Sequence, residues 1–139
     1  MDTRDHLVAV VDDYDAAEST LAFARKTVEQ GGRATVVFGL GNTDRGHIQA
    51  YAESEHLSIG VAENLYIQAT ASALNEAIGG SETQTIVAGV RDGRAVIEAA
   101  VRSNATSVAV PAPLARTRQW RRAMAKAPVP VIVTPTRAA

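Results

Sequence analysis

Arginine side chains crowd one short segment, Arg116–Arg122, which follows the fourth strand-like stretch of the chain. On a helix, residues four apart lie on the same face, so Arg118, Arg122 and Lys126 would form one basic stripe. Guanidinium groups hold phosphate or carboxylate through paired hydrogen bonds, and Trp120 could stack on a base. The segment is therefore a candidate anion site, with Arg116, Arg118 and Arg122 as its ligands. The alternative is that these arginines pair with acids of the same molecule or of a partner subunit.

Two adjacent carboxylates, Asp12 and Asp13, follow the first strand-like stretch, Leu7–Val11. Open α/β sheets bind ligands at the carboxyl ends of their strands, so Asp12 is a candidate hydrogen-bonding group for a ligand. The alternative is that Asp12 caps the following helix or pairs with an arginine of the 116–122 segment. The same two interpretations apply to Asp13, and these acids complete the candidate nucleotide-binding set.

No arrangement of residues indicates catalysis or a metal centre. The chain has no cysteine, which excludes a thiolate nucleophile, a thiolate metal site and a disulfide framework. The histidines His6, His47 and His56 have neither a metal-ligand spacing nor a place in a recognisable triad, so we expect surface or partly buried positions for them. There is no nucleophile elbow and no P-loop. The sequence therefore predicts a protein that is not an enzyme and holds no metal.

The composition favours one domain that spans residues 1–139. A chain of 139 residues that is 46% hydrophobic buries about two-thirds of its unfolded surface on folding, in one core. No apolar run approaches the roughly 18 residues of a membrane span, and the first residues lack the layout of a signal peptide. We therefore expect a cytoplasmic protein.

Charge is distributed unevenly along the chain, although the net charge is only −1. All 15 acids lie at or before Glu98, whereas seven of the 14 bases lie beyond it. Such polarity can steer an anion or self-association. Nucleic acid is a poor candidate partner, because the sequence pI is about 6.3 and the basic segment has one aromatic side chain, unlike the broad cationic faces of nucleic-acid binders.

Hydrophobic periodicity predicts alternating strands and helices, and hence a doubly wound parallel sheet with helices on both faces. The predicted strands are Leu7–Val11, Ala34–Phe38, Thr85–Gly89, Ser107–Val110 and Val129–Thr134. The predicted helices are Asp15–Gln30, Val61–Ile78, one that is capped by Asp92 and runs through Val101, and a short one that contains Trp120 and Ala127. For residues 43–60 the pattern is least decisive, and we predict a partly helical connection.

The last predicted strand has the character of an exposed sheet edge. It is almost all Val and Ile, yet Pro130 cannot donate to the hydrogen bonds of a central strand. An apolar edge invites pairing with another copy of the chain, so we predict a homodimer formed through this strand. The predicted interface residues are Val129, Val131, Ile132 and Val133.

Taken in order, four segments resemble the universal stress protein family over nearly the whole chain. They are Val10–Glu18, where a strand ends in an acid before a helix; Asp92–Ala100, similar to the family's third helix; Asn104–Val110, which leads into the fourth strand; and Lys126–Val133, similar to the last strand. The resemblance implies a three-layer α/β/α fold of the adenine nucleotide alpha hydrolase-like class, with five parallel strands in the order 3-2-1-4-5. It also implies a two-fold dimer through the last strand and a nucleotide contact at Asp12.

The turn after the fourth strand departs from the family's pattern. ATP-binding members have Gly-x-x-Gly and then a Gly-Ser or Gly-Thr pair, so that main-chain N–H groups hold the phosphates. Here no glycine follows Gly93, and Pro111 and Pro113 lack N–H donors. The side chains of Leu114 and Arg116 would crowd a phosphate. ATP binding in the family's manner is therefore not expected.

We therefore predict a universal-stress-type regulatory or interaction module that acts as a homodimer, binds no ATP and needs no cofactor. A protein partner suits this interpretation. The alternative is an adenine-nucleotide or phosphate-type anion sensor that uses Asp12 and the Arg116–Arg122 segment, with ATP, AMP or phosphate as its ligand. A nucleotide hydrolase ranks behind both.

Overall fold

The computed structural model describes residues 5–12, 18–79, 83–87 and 89–135, and for 83–87 it describes the main chain only. It confirms an α/β fold with a parallel sheet. The strands are β1 His6–Val11, β2 Arg33–Phe38, β3 Thr83–Val87, β4 Ser107–Pro111 and β5 Val131–Thr134. The helices are α1 Glu18–Glu29, α2 Asn42–Ser54, α3 Ile59–Ala77, α4 Gly93–Arg102, α5 Ala112–Ala115 and α6 Arg118–Ala125. Within these described ranges no helix has the length and hydrophobicity to cross a membrane.

The strands form one sheet in the order β3-β2-β1-β4-β5, and each neighbouring pair is parallel. Parallel neighbours need crossover connections, which the helices supply. The central strand β1 is buried along its whole length, as expected for a strand covered on both faces. The chain runs outward from β1 to β3 and then returns to place β4 on the other side of β1. This reversal leaves a crevice at the carboxyl ends of the strands.

Strand side chains alternate between two apolar cores on opposite faces of the sheet. The core that includes side chains of α4, α5 and α6 receives Val8, Val10, Val108 and Val110. The core that includes side chains of α1 and α3 receives Leu7, Ala9, Val11 and Ala109. Because both faces are apolar, the strands appear in the sequence as unbroken hydrophobic runs rather than as alternating patterns.

The segment 43–60 is more helical than predicted, since α2 occupies most of it and α3 begins near its end. The start of α2 is fixed by Asp44, whose Oδ2 accepts a hydrogen bond from the Gly41 N–H at 2.9 Å. The other carboxylate oxygen accepts a hydrogen bond from the hydroxyl of Tyr66 on α3. The sequence pattern did not show the full length of α2, because Asp44 at its start is a buried polar residue whose partner lies 22 residues away.

Several element boundaries differ from the predicted ones. β5 begins at Val131, so Val129 precedes the strand instead of belonging to it. β3 is Thr83–Val87, two residues earlier than the predicted strand. The short helix Ala112–Ala115 was not predicted; it contains Pro113 and is preceded by Pro111, and proline is well tolerated in a first helical turn. The predicted start of α1 at Asp15 lies outside the described residues.

His6 joins three elements at the amino edge of the sheet. It is the first residue of β1 and is 5% exposed, so the expected surface or partly buried position is wrong for His6. Its Nε2 lies 2.9 Å from Thr35 Oγ1 on β2, and its Nδ1 lies 3.2 Å from the carbonyl oxygen of Ser103 after α4. A buried imidazole needs such partners, and these give His6 a structural role.

Candidate functional site

Three connections of the sheet line a cleft at its carboxyl edge. Asp12 follows β1, Gly39 and Leu40 follow β2, and residues 89–92 follow β3. The cleft has a volume of about 550 Å³. The polar side chains that line it are Asp12, Arg45, Glu63, Arg91, Asp92 and Gln119. This is the edge at which sheets of this topology bind ligands.

The cleft carries both signs of charge and suits a small polar ligand. The carboxylate of Asp92 is already engaged, because its Oδ1 accepts the Ala95 N–H at 3.1 Å; this confirms the predicted cap of α4. Arg45 and Arg91 bring guanidinium groups to the cleft, as donors for an anionic or polar group. In the part of the chain that the structure describes, no three His, Cys, Asp or Glu side chains form a group that could hold a metal ion.

Asp12 lies in the cleft, as the sequence predicts for a residue at the end of β1. Among the described residues, none donates a hydrogen bond to its carboxylate or forms an ion pair with it. The start of α2 lies beside it, since a Cβ placed on Gly41 would be 3.5 Å from the Asp12 main-chain oxygen. Asp13 lies outside the described residues.

The predicted arginine ligands do not join Asp12. Arg116 caps the C-terminus of α5, Arg118 begins α6, and Arg122 lies one turn later; all three are exposed. None of them lines the Asp12 cleft, to which α6 contributes Gln119 instead. Arg122 lines a second groove, between α4 and α6, which shares Asp92 and Gln119 with the cleft. The predicted combination of one carboxylate with three arginines is therefore not assembled in this structure.

Trp120 explains why the arginines face away from the cleft. Its side chain is fully buried, and its Nε1 donates to the Val90 carbonyl oxygen at 2.8 Å. A Cβ placed on Gly93 would lie 2.8 Å from Trp120 Cδ2, so the indole packs directly on the first residue of α4. The suggestion that Trp120 stacks on a base is therefore wrong. Because Trp120 points into the core, Arg118, Arg121 and Arg122, which lie at other positions around α6, are directed to solvent.

The turn after β4 is a closed helical turn. Leu114 and Ala115 of α5 are buried in the core that α4, α5 and α6 form on one face of the sheet. Pro113 has no N–H donor. The amides of Arg116 and Thr117 donate to main-chain oxygens within α5, at 3.1 Å in each case. Side chains and internal hydrogen bonds thus occupy the position where a phosphate loop would need free N–H groups.

β5 lies at the edge of the sheet, as Pro130 indicated. The Pro130 carbonyl oxygen accepts the Val108 N–H at 2.9 Å. Main-chain groups alternate sides along a strand, so those of Val131 and Val133 face the open edge. The side chain of Val133 is 50% exposed. Of the predicted interface residues, Val129, Val131 and Ile132 are half-buried, and the first two pack against the core.

The structure also contains a groove that sequence reasoning missed, here called the α4–α6 groove. It has a volume of about 1080 Å³. Its apolar part consists of Ile97, Ala123, Ala125 and Pro128, and its polar part includes Arg94, Glu98, Arg122 and Lys126. The only sequence signal was the apolar spacing of the last helix, which indicated packing but did not indicate which helix it packs against.

The sequence matches no protein-family model and no curated protein. Solved structures, by contrast, are similar over almost the entire chain. The universal stress protein from Archaeoglobus fulgidus in complex with dAMP has a TM-score of 0.61 at 21% identity, over 96% of this chain and 99% of the other. A universal stress protein in complex with cAMP has a TM-score of 0.61 at 12% identity, over 98% and 100%. Another from A. fulgidus DSM 4304 has a TM-score of 0.60 at 19% identity, over 96% of this chain and 46% of the longer one.

Proposed function

We propose that this chain, which has the fold of the universal stress proteins, is a divergent universal stress protein that works as a homodimeric regulatory module without binding ATP. The closed turn after β4 carries this proposal. There Pro113 lacks a donor, and the buried side chain of Leu114 anchors the turn to the core. We assign the module no catalytic residue.

The turn would have to unfold locally to bind a triphosphate. Freeing the amides of Arg116 and Thr117 would break their hydrogen bonds within α5. Removing Leu114 from the core would expose apolar surface at a cost of about 1.5–3 kcal/mol. A loop that holds phosphates on preformed N–H groups has no such cost, because its donors already point at the ligand.

Isothermal titration calorimetry with ATP tests this proposal. We expect no binding of ATP to the wild-type protein at millimolar nucleotide, and mass spectrometry of heat-denatured protein should detect no retained nucleotide. An Asp12→Asn variant is the matched control, because it preserves side-chain size and removes the charge at the cleft. ATP binding that Asp12→Asn weakens would contradict the proposal and would place a nucleotide in the cleft.

The homodimer is proposed to form by pairing of two β5 edges. The outward main-chain groups of Val131 and Val133 are free to pair, and the half-exposed Val133 side chain supplies apolar surface. We expect Val133→Glu to weaken dimerisation by roughly tenfold or more, since a two-fold axis brings both carboxylates into one interface. Analytical ultracentrifugation over a concentration series measures this.

Val101→Glu is the matched control for the dimer experiment. Val101 is 41% exposed on α4, close to the exposure of Val133, but it does not lie on the sheet edge. The control should leave the dimerisation constant unchanged. A wild-type chain that stays monomeric, or equal effects of the two variants, would rule out the β5 interface.

A second candidate is an adenine-nucleotide or phosphate-type anion sensor. Two observations favour it: the open cleft at Asp12, and the fact that two similar structures are of universal stress proteins in complex with dAMP and with cAMP. In such a sensor Arg45 and Arg91, rather than the Arg116–Arg122 segment, would face the phosphate. Calorimetry with AMP and with inorganic phosphate tests it. This version of the site predicts that Arg91→Ala abolishes binding. A double Arg118→Ala, Arg122→Ala variant should bind as the wild-type protein does.

A further inference from the structure

The exposed side of α5 and α6 is a surface of uncompensated positive charge. Its members are the five side chains of Arg116, Arg118, Arg121, Arg122 and Lys126. Among the described residues, none of these five has an acidic partner. Elsewhere, exposed arginines do find acids at helical spacing, as in the pairs Arg25 with Glu29 and Arg94 with Glu98. Pairing of these side chains with Asp12 is thus not observed, and Asp13 lies outside the described residues.

This charge arrangement destabilises the free helix. Arg118 lies one turn from Arg122, which lies one turn from Lys126, and like charges at this spacing repel. Arg118 is also the first residue of α6, where the helix dipole is positive and favours an acid. α6 itself contains no acid that could offset the repulsion. An external partner that carries negative charge would remove this penalty.

The basic surface adjoins the α4–α6 groove, which offers an apolar floor. Ile97, Ala123 and Pro128 provide that floor, while Arg122 and Lys126 stand on one wall. On the α4 side, Glu98 is paired with Arg94 at 3.1 Å, and Asp92 adds a further carboxylate, so this wall is net negative. A ligand in the groove would therefore meet apolar surface below it and positive charge along one side.

We propose that the α4–α6 groove docks an acidic, partly apolar segment of a partner protein. Apolar side chains of the segment would contact Ile97, Ala123 and Pro128, and its carboxylates would pair with Arg122, Lys126 and the adjacent Arg118. This inference rests on the interaction role proposed above and gives that role a surface and a partner chemistry. It uses neither Asp12 nor the β5 edge, although Asp92 and Gln119 line both the Asp12 cleft and this groove.

A protein segment fits this groove better than nucleic acid. A phosphate backbone would pass the carboxylates of Asp92 and Glu98, which also line the groove. Single-stranded nucleic acid uses exposed aromatic side chains for stacking, and the aromatic residue at this position, Trp120, is fully buried. A peptide can instead direct its acids to the basic wall and its apolar side chains to the floor.

Selection of peptides from a random phage-displayed library on the immobilised protein tests the proposal. We expect enrichment of peptides that combine Asp or Glu with apolar residues. Synthetic copies should bind in biolayer interferometry, and binding should weaken as salt rises from about 50 to 300 mM, because the charges are exposed. A double Arg118→Glu, Arg122→Glu variant should weaken binding by roughly tenfold or more.

Two further variants make the test decisive. Lys26→Glu reverses an exposed charge on α1, outside the α4–α6 groove, and should leave peptide binding unchanged. Ala125→Tyr fills the groove without changing its charge and should weaken binding as the double variant does. The proposal is overturned if no peptide is enriched, if the enriched peptides are not acidic, if Lys26→Glu acts equally, or if a single-stranded DNA oligonucleotide displaces the peptides.

Measurements of dimerisation and of ATP binding on the same variants distinguish a failure of the groove proposal from a failure of the proposed function. The double Arg118→Glu, Arg122→Glu variant should dimerise as the wild type does and should remain without ATP binding. If peptides fail to bind while these results hold, only the groove assignment is wrong. If ATP binds while the acidic peptides also bind, only the proposed function is wrong.

Discussion

Replacing Trp120 by Ala is expected to lower the free energy of unfolding by about 3–5 kcal/mol, because it removes the largest fully buried side chain. The substitution also removes the hydrogen bond from Nε1 to the Val90 carbonyl oxygen. That buried oxygen would then lack a donor. Domains of this kind have a total stability of about 5–15 kcal/mol. Urea unfolding followed by far-UV circular dichroism measures the change.

Trp120→Phe separates packing from hydrogen bonding at this position. The phenyl ring keeps most of the apolar volume but cannot donate to Val90, so we expect a loss of about 1–2 kcal/mol. Equal stability of the wild-type protein and Trp120→Ala would show that α6 does not anchor on α4. In that case burial of Trp120 would also not be the reason why the arginines of α6 face solvent.

Gly93→Ala is expected to destabilise the protein by about 1–3 kcal/mol, although alanine is the better helix former. The added Cβ would lie 2.8 Å from Trp120 Cδ2 and 3.2 Å from Ala123 Cβ. To make room, α6 would have to shift away from α4. Thermal and urea denaturation of the variant measure the effect.

Gly46→Ala provides a control with the opposite sign. Gly46 lies inside α2, and a Cβ there would meet no atom within 4 Å. The same chemical change should therefore stabilise the protein by about 0.5–1 kcal/mol through helix propensity alone. If both glycine variants were stabilised, the close packing between α4 and α6 would be refuted.

Much of the fold could be predicted from the sequence because its signals are local. An unbroken apolar run such as Leu7–Val11 indicates a strand buried on both faces, and Asp92 marks the start of a helix. The extent of α2 was underestimated because its start depends on Asp44, whose burial is compensated by Tyr66 on another helix. His6 was misplaced for the same reason, since the partners of its ring lie 29 and 97 residues away.

The candidate site could be predicted only in part. The position of Asp12 follows from chain topology, since the residue after a central parallel strand lies at the carboxyl edge. The direction of the arginines depends on a rotation of α6 that is set by Trp120 and Gly93. The apolar spacing of the last helix indicates which of its faces packs inward, but it does not indicate which helix that face packs against. Arg45 and Arg91 were missed because their helix and loop converge on the cleft only once the sheet is assembled.

The burial of Trp120 also gives this chain an optical reporter, because it is the sole tryptophan. An indole shielded from water emits at shorter wavelengths than one in solvent, so native protein should fluoresce toward the blue end of the indole range. The ring and the side chain of Ala123 both pack on Gly93, and Ala123 also lines the α4–α6 groove. Its emission therefore registers separation of α6 from α4, and occupancy of the groove can be followed in solution without any label.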